Sequence, residues 1–425
     1  MMKHYARDRA ARLGRTLAAA ALTVLAGGLA AGCGKILEAD APSRVIATDL
    51  DNPSYAPLLV KSAVGDFDCA LASYITTTAQ VVDEFKSVNI YSAEASDYDR
   101  RTVNPARTQY ATFECGGFGA IYQPLETAVW QADNALKLLD GYTDAQVANR
   151  ATLIQTAAAY AGYGRVLLGE GFCTAAINVG PELTPAQIFA QADSLFTRAI
   201  SGPDAQIANM ARVGRARARL DLGNGAGALA DAQLVPAGFV QFARYSDAST
   251  RSQNEVYNRN NRAEGVSIDV QNRNVAFQGV SDPRVKVQKT KDIAPNGIDT
   301  VWVQLKYTSL NQPIPVARYE EAQLIAAEVA GGQTAVEIIN KLHAKVGLPP
   351  FQSTDPAAIR NQVIQERAHE LFLEGHRFGD VRRLDIPFDP PTGTPYWQGG
   401  TYGSTRCFPL PDLERSNNPN IGPKS

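Results

Sequence analysis

The sequence predicts a mainly α-helical fold in which helices stack in pairs and long loops emerge between them. Apolar residues recur at every third or fourth position over most of the chain, as they do in amphipathic helices. Several of these periodic segments are joined by tight glycine turns, such as residues 223–225. Two stretches rich in Asn, Arg, Ser and Asp, at about residues 87–113 and 245–311, lack the helical period and are predicted to be loop-rich insertions.

The apolar period also gives bounds for each element. It predicts helices at residues 55–75, 122–139, 144–168, 185–200, 206–222, 226–234, 316–330 and 334–346. A helix pair cannot bury its apolar face alone, so such pairs are expected to stack into one continuous core. In the second loop-rich stretch, the β-leaning segments 266–268 and 301–303 predict a short β-hairpin.

Residues 212–234 resemble a tetratricopeptide hairpin, with two helices on either side of a Gly-Asn-Gly turn. Small residues, Ala216 and Ala228, lie where the two helices of such a hairpin would cross. Gly162 has the equivalent position seven residues before Gly169. A strict period of 34 residues is absent, so the sequence predicts a degenerate array.

Residues 1–32 have the pattern of a secretory signal. Five positive charges and one negative charge precede an Ala- and Leu-rich run at residues 17–30, which small residues follow. That run is too short for a membrane-spanning helix, which needs about 20 apolar residues. Ala-Ala-Gly-Cys at residues 30–33 resembles the lipobox of bacterial lipoproteins, although Ala30 stands where Leu is usual. We therefore expect cleavage before Cys33, lipidation of Cys33, a tether at 33–50 and a single helical domain at 51–425.

Composition excludes several classes of function. The chain carries a net charge of −2, of which the leader contributes +4, so the remainder carries −6 and offers no basic stripe for nucleic acid. Once Cys33 is lipidated, four cysteines remain, which permit up to two disulfides in three pairings. These are Cys69, Cys115, Cys173 and Cys407. Their spacings do not match a zinc site, and no metal or other cofactor is predicted.

A charged segment near the C-terminal end is predicted to be structural. Residues 364, 368, 371, 375 and 378 form one apolar stripe if the segment is a single helix. Three pairs of opposite charges stand three residues apart on its other faces, and each is expected to contribute a few tenths of a kcal/mol. They are Arg367/Glu370, Glu374/Arg377 and Asp380/Arg383. A zinc-protease motif beginning at His369-Glu370 fails because Leu373 stands where the second His is needed.

Aromatic residues in polar stretches are the candidate ligand contacts. Tyr and Trp faces stack on the C–H faces of sugar rings, while Asn, Asp and Arg bond the hydroxyl groups. The candidates are Tyr91, Tyr98, Tyr110, Tyr257, Trp302 and Trp397. For each of them the alternative interpretation is a partly buried aromatic that only packs.

Four motifs in sequence order resemble the RagB/SusD family. They are the Pro-Val-Ala-Arg-Tyr segment at 315–319 with the helices after it, the charged segment at 365–383, Phe-Pro-Leu-Pro at 408–411, and Asn-Pro-Asn at 418–420. Residues 33–43 also resemble the start of mature members of that family. In the charged segment, the residues that carry the resemblance are Glu366, Arg367, Glu370, Glu374, Gly375, Arg377, Asp380 and Arg383.

The resemblance implies a tetratricopeptide-like scaffold topped by a loop-rich face. It also implies a lipoprotein on the outer surface of the outer membrane, which binds a nutrient and delivers it to a SusC-like TonB-dependent transporter. An oligosaccharide is the expected nutrient, and a peptide is the alternative. The other class of function is a helical-repeat scaffold protein of the cell envelope that binds no small ligand. An enzyme is not expected.

Overall fold

The computed structural model describes residues 51–90, 93–262 and 265–422. The predicted leader at 1–32, Cys33 and the tether at 33–50 lie outside these residues. Within the described part of the chain, no helix combines the length and the apolar composition needed to cross a membrane.

Helices make up most of the described chain, as the sequence predicts. They are α1 (Ala56–Val81), α2 (Ala93–Asp99), α3 (Thr108–Thr112), α4 (Tyr122–Gly141), α5 (Arg150–Gly171), α6 (Pro185–Ile200), α7 (Ala205–Asp221), α8 (Gly225–Ala232), α9 (Glu255–Tyr257), α10 (Tyr319–Ala330), α11 (Gly332–Val346), α12 (Pro356–Glu370), α13 (Arg377–Arg383) and α14 (Asp412–Asn417). The prediction of a mainly helical fold is therefore confirmed, and the predicted loop at 87–113 contains two short helices, α2 and α3.

The strands are short and form four separate antiparallel pairs. They are β1 (Phe85–Ser87), β2 (Val240–Ala243), β3 (Val266–Ile268), β4 (Ala276–Phe277), β5 (Val280–Ser281), β6 (Val287–Ile293), β7 (Thr300–Gln304) and β8 (Ile314–Arg318). The pairs are β1 with β3, β2 with β8, β4 with β5, and β6 with β7.

Two local predictions need correction. Segments 266–268 and 301–303 are both strands, but each pairs with a different partner. They lie beside each other, and the Trp302 amide donates to Ser267 Oγ at 2.8 Å. The helix predicted to begin at 316 begins at Tyr319, because residues 314–318 pair with β2. That pairing supplies backbone hydrogen bonds from a segment about 70 residues away, which local periodicity does not reveal.

The helices stack in sequence order. α1 packs on α4 and α5, α5 packs on α6, and the succession continues through α7, α8 and α10 to α11 and α12. Glycine permits the closest approach: a Cβ on Gly162 would lie 2.7 Å from Phe196 Cε1, and Gly214 on α7 contacts the same ring. Phe196 on α6 is thus inserted between α5 and α7, and Gly162 lies at a close helix crossing, as predicted.

The charged segment is two helices and not one. α12 ends at Glu370 and α13 begins at Arg377, and between them Leu373 and Gly375 have the left-handed φ values 54° and 83°. A Cβ on Gly375 would lie 3.0 Å from Ile75 Cγ1, so glycine allows this turn to approach α1. The single apolar stripe predicted for residues 364–378 is therefore wrong.

The charges of this segment are buried in a network of ion pairs. Arg367 and Asp380 are each 4% exposed, and the Arg367 guanidinium donates two hydrogen bonds to Asp380, at 2.8 and 2.9 Å. Arg318, at the end of β8, pairs with Glu370 at 2.7 Å and with Glu374 at 2.9 Å. Of the three predicted pairs, the structure forms Asp380/Arg383, at 3.0 Å. Because the groups are buried, removal of one partner would leave an uncompensated charge in the interior, which costs far more than the loss of a surface pair.

The four described cysteines form two disulfides. Cys69 on α1 pairs with Cys115, and Cys173 pairs with Cys407, with Cα–Cα distances of 5.9 and 5.0 Å. The second bond lies beside a backbone bridge in which Phe408 N donates to Gly171 O and Cys173 N donates to Phe408 O, both at 2.8 Å. The C-terminal segment is thereby fixed to the end of α5.

Candidate ligand-binding site

A cavity of about 140 Å³ lies in the first loop-rich stretch, and we call it the loop cavity. Tyr98 on α2 and Tyr110 on α3 both line it, together with Phe113 and Phe118. Two of the aromatics predicted from the sequence as ligand contacts are thus brought to one place. The remaining wall is Asn89, Asp97, Val103, Asn104, Arg107, Gln109 and Gly119.

The floor of the loop cavity is rigid. The Tyr98 hydroxyl donates to the Gly119 carbonyl at 2.8 Å, and the Tyr110 hydroxyl donates to the Pro409 carbonyl. Both rings meet Phe408 edge to face, with centroid distances of 5.6 and 6.2 Å. Burial raises the pKa of each tyrosine well above its usual value, so both are neutral phenols at physiological pH. The Phe-Pro-Leu-Pro motif therefore supports the loop cavity from below.

Gly119 fixes the width of the loop cavity. Its φ is +77°, and a Cβ there would lie 2.9 Å from Tyr98 Cε2. A side chain at this position would be strained in the backbone and would push the Tyr98 ring from its place. Glycine at 119 is thus required for the tyrosine floor.

Polar groups and one exposed ring surround the opening. Phe113 is 36% exposed, Asn104 is exposed, and Arg107 is half-buried. Asp97 forms ion pairs with Arg100, at 2.7 Å, and with Arg107, at 3.5 Å. The second pair positions the Arg107 side chain beside the opening. An aromatic face next to amide, carboxylate and guanidinium groups is suited to bind a molecule with both C–H faces and hydroxyl groups.

A loop from the C-terminal part of the chain supports α2. The Tyr396 hydroxyl donates to Asp99 Oδ2 at 2.8 Å, and Gln398 donates to the Asn89 carbonyl at 3.1 Å. Burial raises the pKa of Asp99 to about 7, against the smaller opposing effect of the Tyr396 hydrogen bond. Trp397 lies in this loop, with its ring centroid 5.9 Å from that of Tyr396.

The other predicted aromatics lie outside the loop cavity. Tyr257 is half-buried at the end of α9, and Trp302 lies in β7 with the Arg273 guanidinium 5.3 Å above its ring. Trp397 is half-buried in its own loop. Tyr91 falls outside the described residues. These four remain candidates from the sequence alone.

Four of the wall residues that the sequence prediction missed carry the ligand-binding chemistry of the loop cavity: Asn104, Arg107, Phe113 and Phe118. All four lie in or next to the predicted insertion at 87–113. The search for ring faces covered Tyr and Trp but not Phe, although Phe offers the same apolar face. The signal that would have found them is the alternation of Asn, Arg and Phe around Tyr110.

Comparison with known proteins finds a family match in the C-terminal part of the chain and similar folds among solved structures. Residues 243–421 match the SusD family. No curated protein sequence matches the chain. A SusD-like carbohydrate binding protein from Bacteroides vulgatus ATCC 8482 is similar in structure, with a TM-score of 0.67, 14% identity, and coverage of 88% of this chain and 98% of that one.

Two further solved structures are similar over nearly the same length. A SusD superfamily protein from Bacteroides fragilis has a TM-score of 0.67 at 15% identity, covering 88% of this chain and 99% of its own. Another from Parabacteroides distasonis ATCC 8503 has a TM-score of 0.66 at 14% identity, covering 89% and 99%. The family resemblance predicted from the motifs is thus confirmed: residues 243–421 relate this chain to the SusD family, and its described part has the fold of SusD superfamily proteins.

Proposed function

We propose that this protein is a surface lipoprotein of the outer membrane that binds an oligosaccharide in the loop cavity and delivers it to a SusC-like TonB-dependent transporter. The observation that carries the proposal is the convergence of Tyr98, Tyr110, Phe113 and Phe118 with polar groups in one cavity of a SusD-type fold. Cys33 provides the membrane anchor in this proposal. The protein binds its ligand and does not transform it.

The chemistry of the loop cavity supports an oligosaccharide as the ligand. Sugar rings are apolar on their faces and polar at their edges, and the opening offers both complements, in Phe113 and in Asn104 and Arg107. The tyrosine floor adds apolar ring surface without adding charge. A similar solved protein is described as carbohydrate binding, which supports the same class of ligand.

The competing hypothesis is an envelope scaffold without a small ligand. That hypothesis predicts scattered aromatic residues beside a helical groove that binds no ligand. Two of the candidate aromatic residues, Tyr98 and Tyr110, converge instead with Phe113 and Phe118 in one cavity, and Phe113 is exposed at its opening. The geometry therefore supports ligand binding over scaffolding.

Replacing Phe113 by alanine is expected to weaken oligosaccharide binding about tenfold, which corresponds to about 1.4 kcal/mol, because the exposed stacking face is lost. The measurement is isothermal titration calorimetry with malto-, cello-, xylo- and mannohexaose. The exposed apolar residue Ile298 lies outside the loop cavity, so Ile298→Ala is the matched control and should bind as the wild type does. Equal affinity of the Phe113→Ala variant and the wild type would remove the loop cavity as the binding site.

Delivery to a transporter is tested separately from binding. The native lipoprotein purified from gently solubilised outer membranes is expected to bring with it a large TonB-dependent β-barrel protein, identified by mass spectrometry. A Cys33→Ala variant, which lacks the anchor, should leave the membrane fraction. Recovery of the lipoprotein without any barrel, at detergent concentrations that preserve other membrane complexes, would contradict delivery and favour the scaffold hypothesis.

A further inference from the structure

A second, larger cavity of about 450 Å³ lies between α4, the segment 176–179 and α14, and we call it the helical cleft. Neighbouring residues of α3 line the two cavities: Tyr110 lines the loop cavity, while Ala111 and Thr112 line the helical cleft. The lining residues of the two cavities do not overlap, so occupation of one leaves the contacts of the other free.

An exposed indole dominates the wall of the helical cleft. Trp130 is 50% exposed, although α4 buries Leu125, Val129 and Ala132 completely. Its position is therefore off the apolar stripe that packs α4 into the scaffold. Val179 and Leu413, 59% and 44% exposed, also line the cleft. An exposed Trp flanked by exposed aliphatic residues is costly for a surface with no partner.

Buried polar groups line the same cleft. Tyr122 is 4% exposed, and the Ala176 backbone amide approaches its hydroxyl oxygen without the geometry of a regular hydrogen bond. Oε1 of Glu126 is buried and has no hydrogen-bond partner among the described residues, while the Asn178 backbone amide bonds the same carboxyl group. An unpaired buried polar atom costs about 1–3 kcal/mol, so both groups favour a ligand that bonds them.

The ionisation of these groups favours a neutral hydrogen-bonding surface. Burial and the neighbouring Glu414 raise the pKa of Glu126 well above its usual value, which favours the protonated form of this carboxyl group, a form that can donate as well as accept. The nearby Asp133 is held by Arg165 at 2.7 Å, and Glu182 is held by Arg415 at 2.5 Å. Asp133 and Glu182 are thus each paired with an arginine, and Glu414 is the other carboxyl group that lines the cleft beside Glu126.

The backbone beside the cleft is strained. Asn178 and Val179 both have left-handed φ values, 55° and 57°. A β-branched residue in this conformation costs on the order of 1–3 kcal/mol, and such strain concentrates at ligand sites. The strained turn brings the Asn178 amide to Glu126 and leaves the Val179 side chain exposed at the cleft.

We propose that the helical cleft is a second saccharide-binding site, in which an uncharged sugar ring stacks on Trp130 and its hydroxyl groups bond Glu126 and Tyr122. This inference rests on the proposed function for the class of ligand, and it adds a site that is separate from the loop cavity. Side-chain amides of Gln123, Gln131 and Asn417 also line the cleft and match further hydroxyl groups. Two sites of this kind on one protein would hold two parts of a long glycan, or two chains, at the same time.

The test uses Trp130 as its own reporter. The chain contains three tryptophans, so the double variant Trp302→Phe/Trp397→Phe leaves Trp130 as the single indole emitter. Titration with malto-, cello-, xylo- and mannohexaose is expected to give a saturable change in its emission. Calorimetry of the wild type should show two sites, and Trp130→Ala should weaken one of them at least tenfold. Leu234→Ala, a change at an exposed apolar residue that does not line the cleft, is the matched control.

The two proposals fail in different ways. If Phe113→Ala loses one site and Trp130→Ala loses the other, both are supported. If calorimetry shows one site that Trp130→Ala leaves unchanged, the second site is overturned and the proposed function stands. If only the Trp130 site binds sugar, the loop cavity is overturned as the binding site. A Trp130 emission that responds to a Lys/Arg-rich peptide and to no hexasaccharide overturns the second site, as does an emission that responds to neither. Circular dichroism of each variant confirms that it is folded.

Discussion

Replacing Arg367 by alanine is expected to lower the free energy of unfolding by about 3–5 kcal/mol, because the change leaves the charge of Asp380 buried with one partner fewer. Burial alone would raise the pKa of Asp380, but Arg367 and Arg383 outweigh it and lower that pKa, so the carboxylate remains charged in the folded protein. Urea-induced unfolding followed by circular dichroism measures the change.

Two further variants test whether the loss of stability comes from the burial of the Arg367–Asp380 pair and not from the loss of a charge as such. Arg198 and Asp140 form an ion pair on the surface, and Arg198→Ala should cost less than about 1 kcal/mol because solvent already screens that pair. In Arg367→Met/Asp380→Leu both charges are removed together, so much of the lost stability should return. If Arg367→Ala unfolds at the same urea concentration as Arg198→Ala, the network does not stabilise the fold.

Removing the disulfide between Cys173 and Cys407, by alanine at both positions, is expected to cost about 5 kcal/mol of unfolding free energy, because the bond closes a loop of 234 residues in the unfolded chain. Alanine at both Cys69 and Cys115, which are 46 residues apart, should lower the free energy of unfolding by about 4 kcal/mol. Thermal and urea unfolding of the two double variants under oxidising conditions measure the difference.

The two bonds should also differ in their effect on ligand binding. Cys407 precedes Phe408, whose ring supports Tyr98 and Tyr110 under the loop cavity. Loss of the Cys173–Cys407 bond should therefore lower oligosaccharide affinity at temperatures where the variant is still folded. Unchanged affinity in that variant would show that the Phe408 bridge to α5 holds the cavity floor without the disulfide.

Sequence periodicity predicts helices whose determinants are local. Helix 185–200 has the predicted bounds because Thr184 and Gln187 form a capping box and Pro185 occupies the first turn. The helix predicted at 144–168 begins later, at Arg150, after Asn149 in the left-handed conformation. Local signals of this kind act within one or two turns, so they are visible in a single sequence.

Long-range interactions decide the elements that sequence reasoning missed. Residues 314–318 form a strand because β2 lies beside them, and the turn at 371–376 interrupts a helical period so that Glu374 can reach Arg318. Opposite charges that stand three residues apart give the same sequence pattern whether they form exposed pairs or belong to a buried network. The sequence therefore predicted that these residues are structural but not that they are buried.

The candidate binding site was predictable in part. The polar surroundings of Tyr98 and Tyr110 marked them as candidates, and they do lie in one cavity. Trp130 was missed because it lies inside a helical segment, where an aromatic residue is usually taken as core. Its offset from the stripe of Leu125, Val129 and Ala132 is the signal that distinguishes it.

The position of Phe408 has a consequence for the order in which the protein matures. Residues 98 and 110 are synthesised early, yet the ring and the carbonyl that hold them belong to residues 408 and 409, some 300 positions later. A chain that still lacks these last residues therefore lacks the contacts that hold the floor of the loop cavity. The loop cavity would therefore form only after the C-terminal segment has been synthesised and has docked.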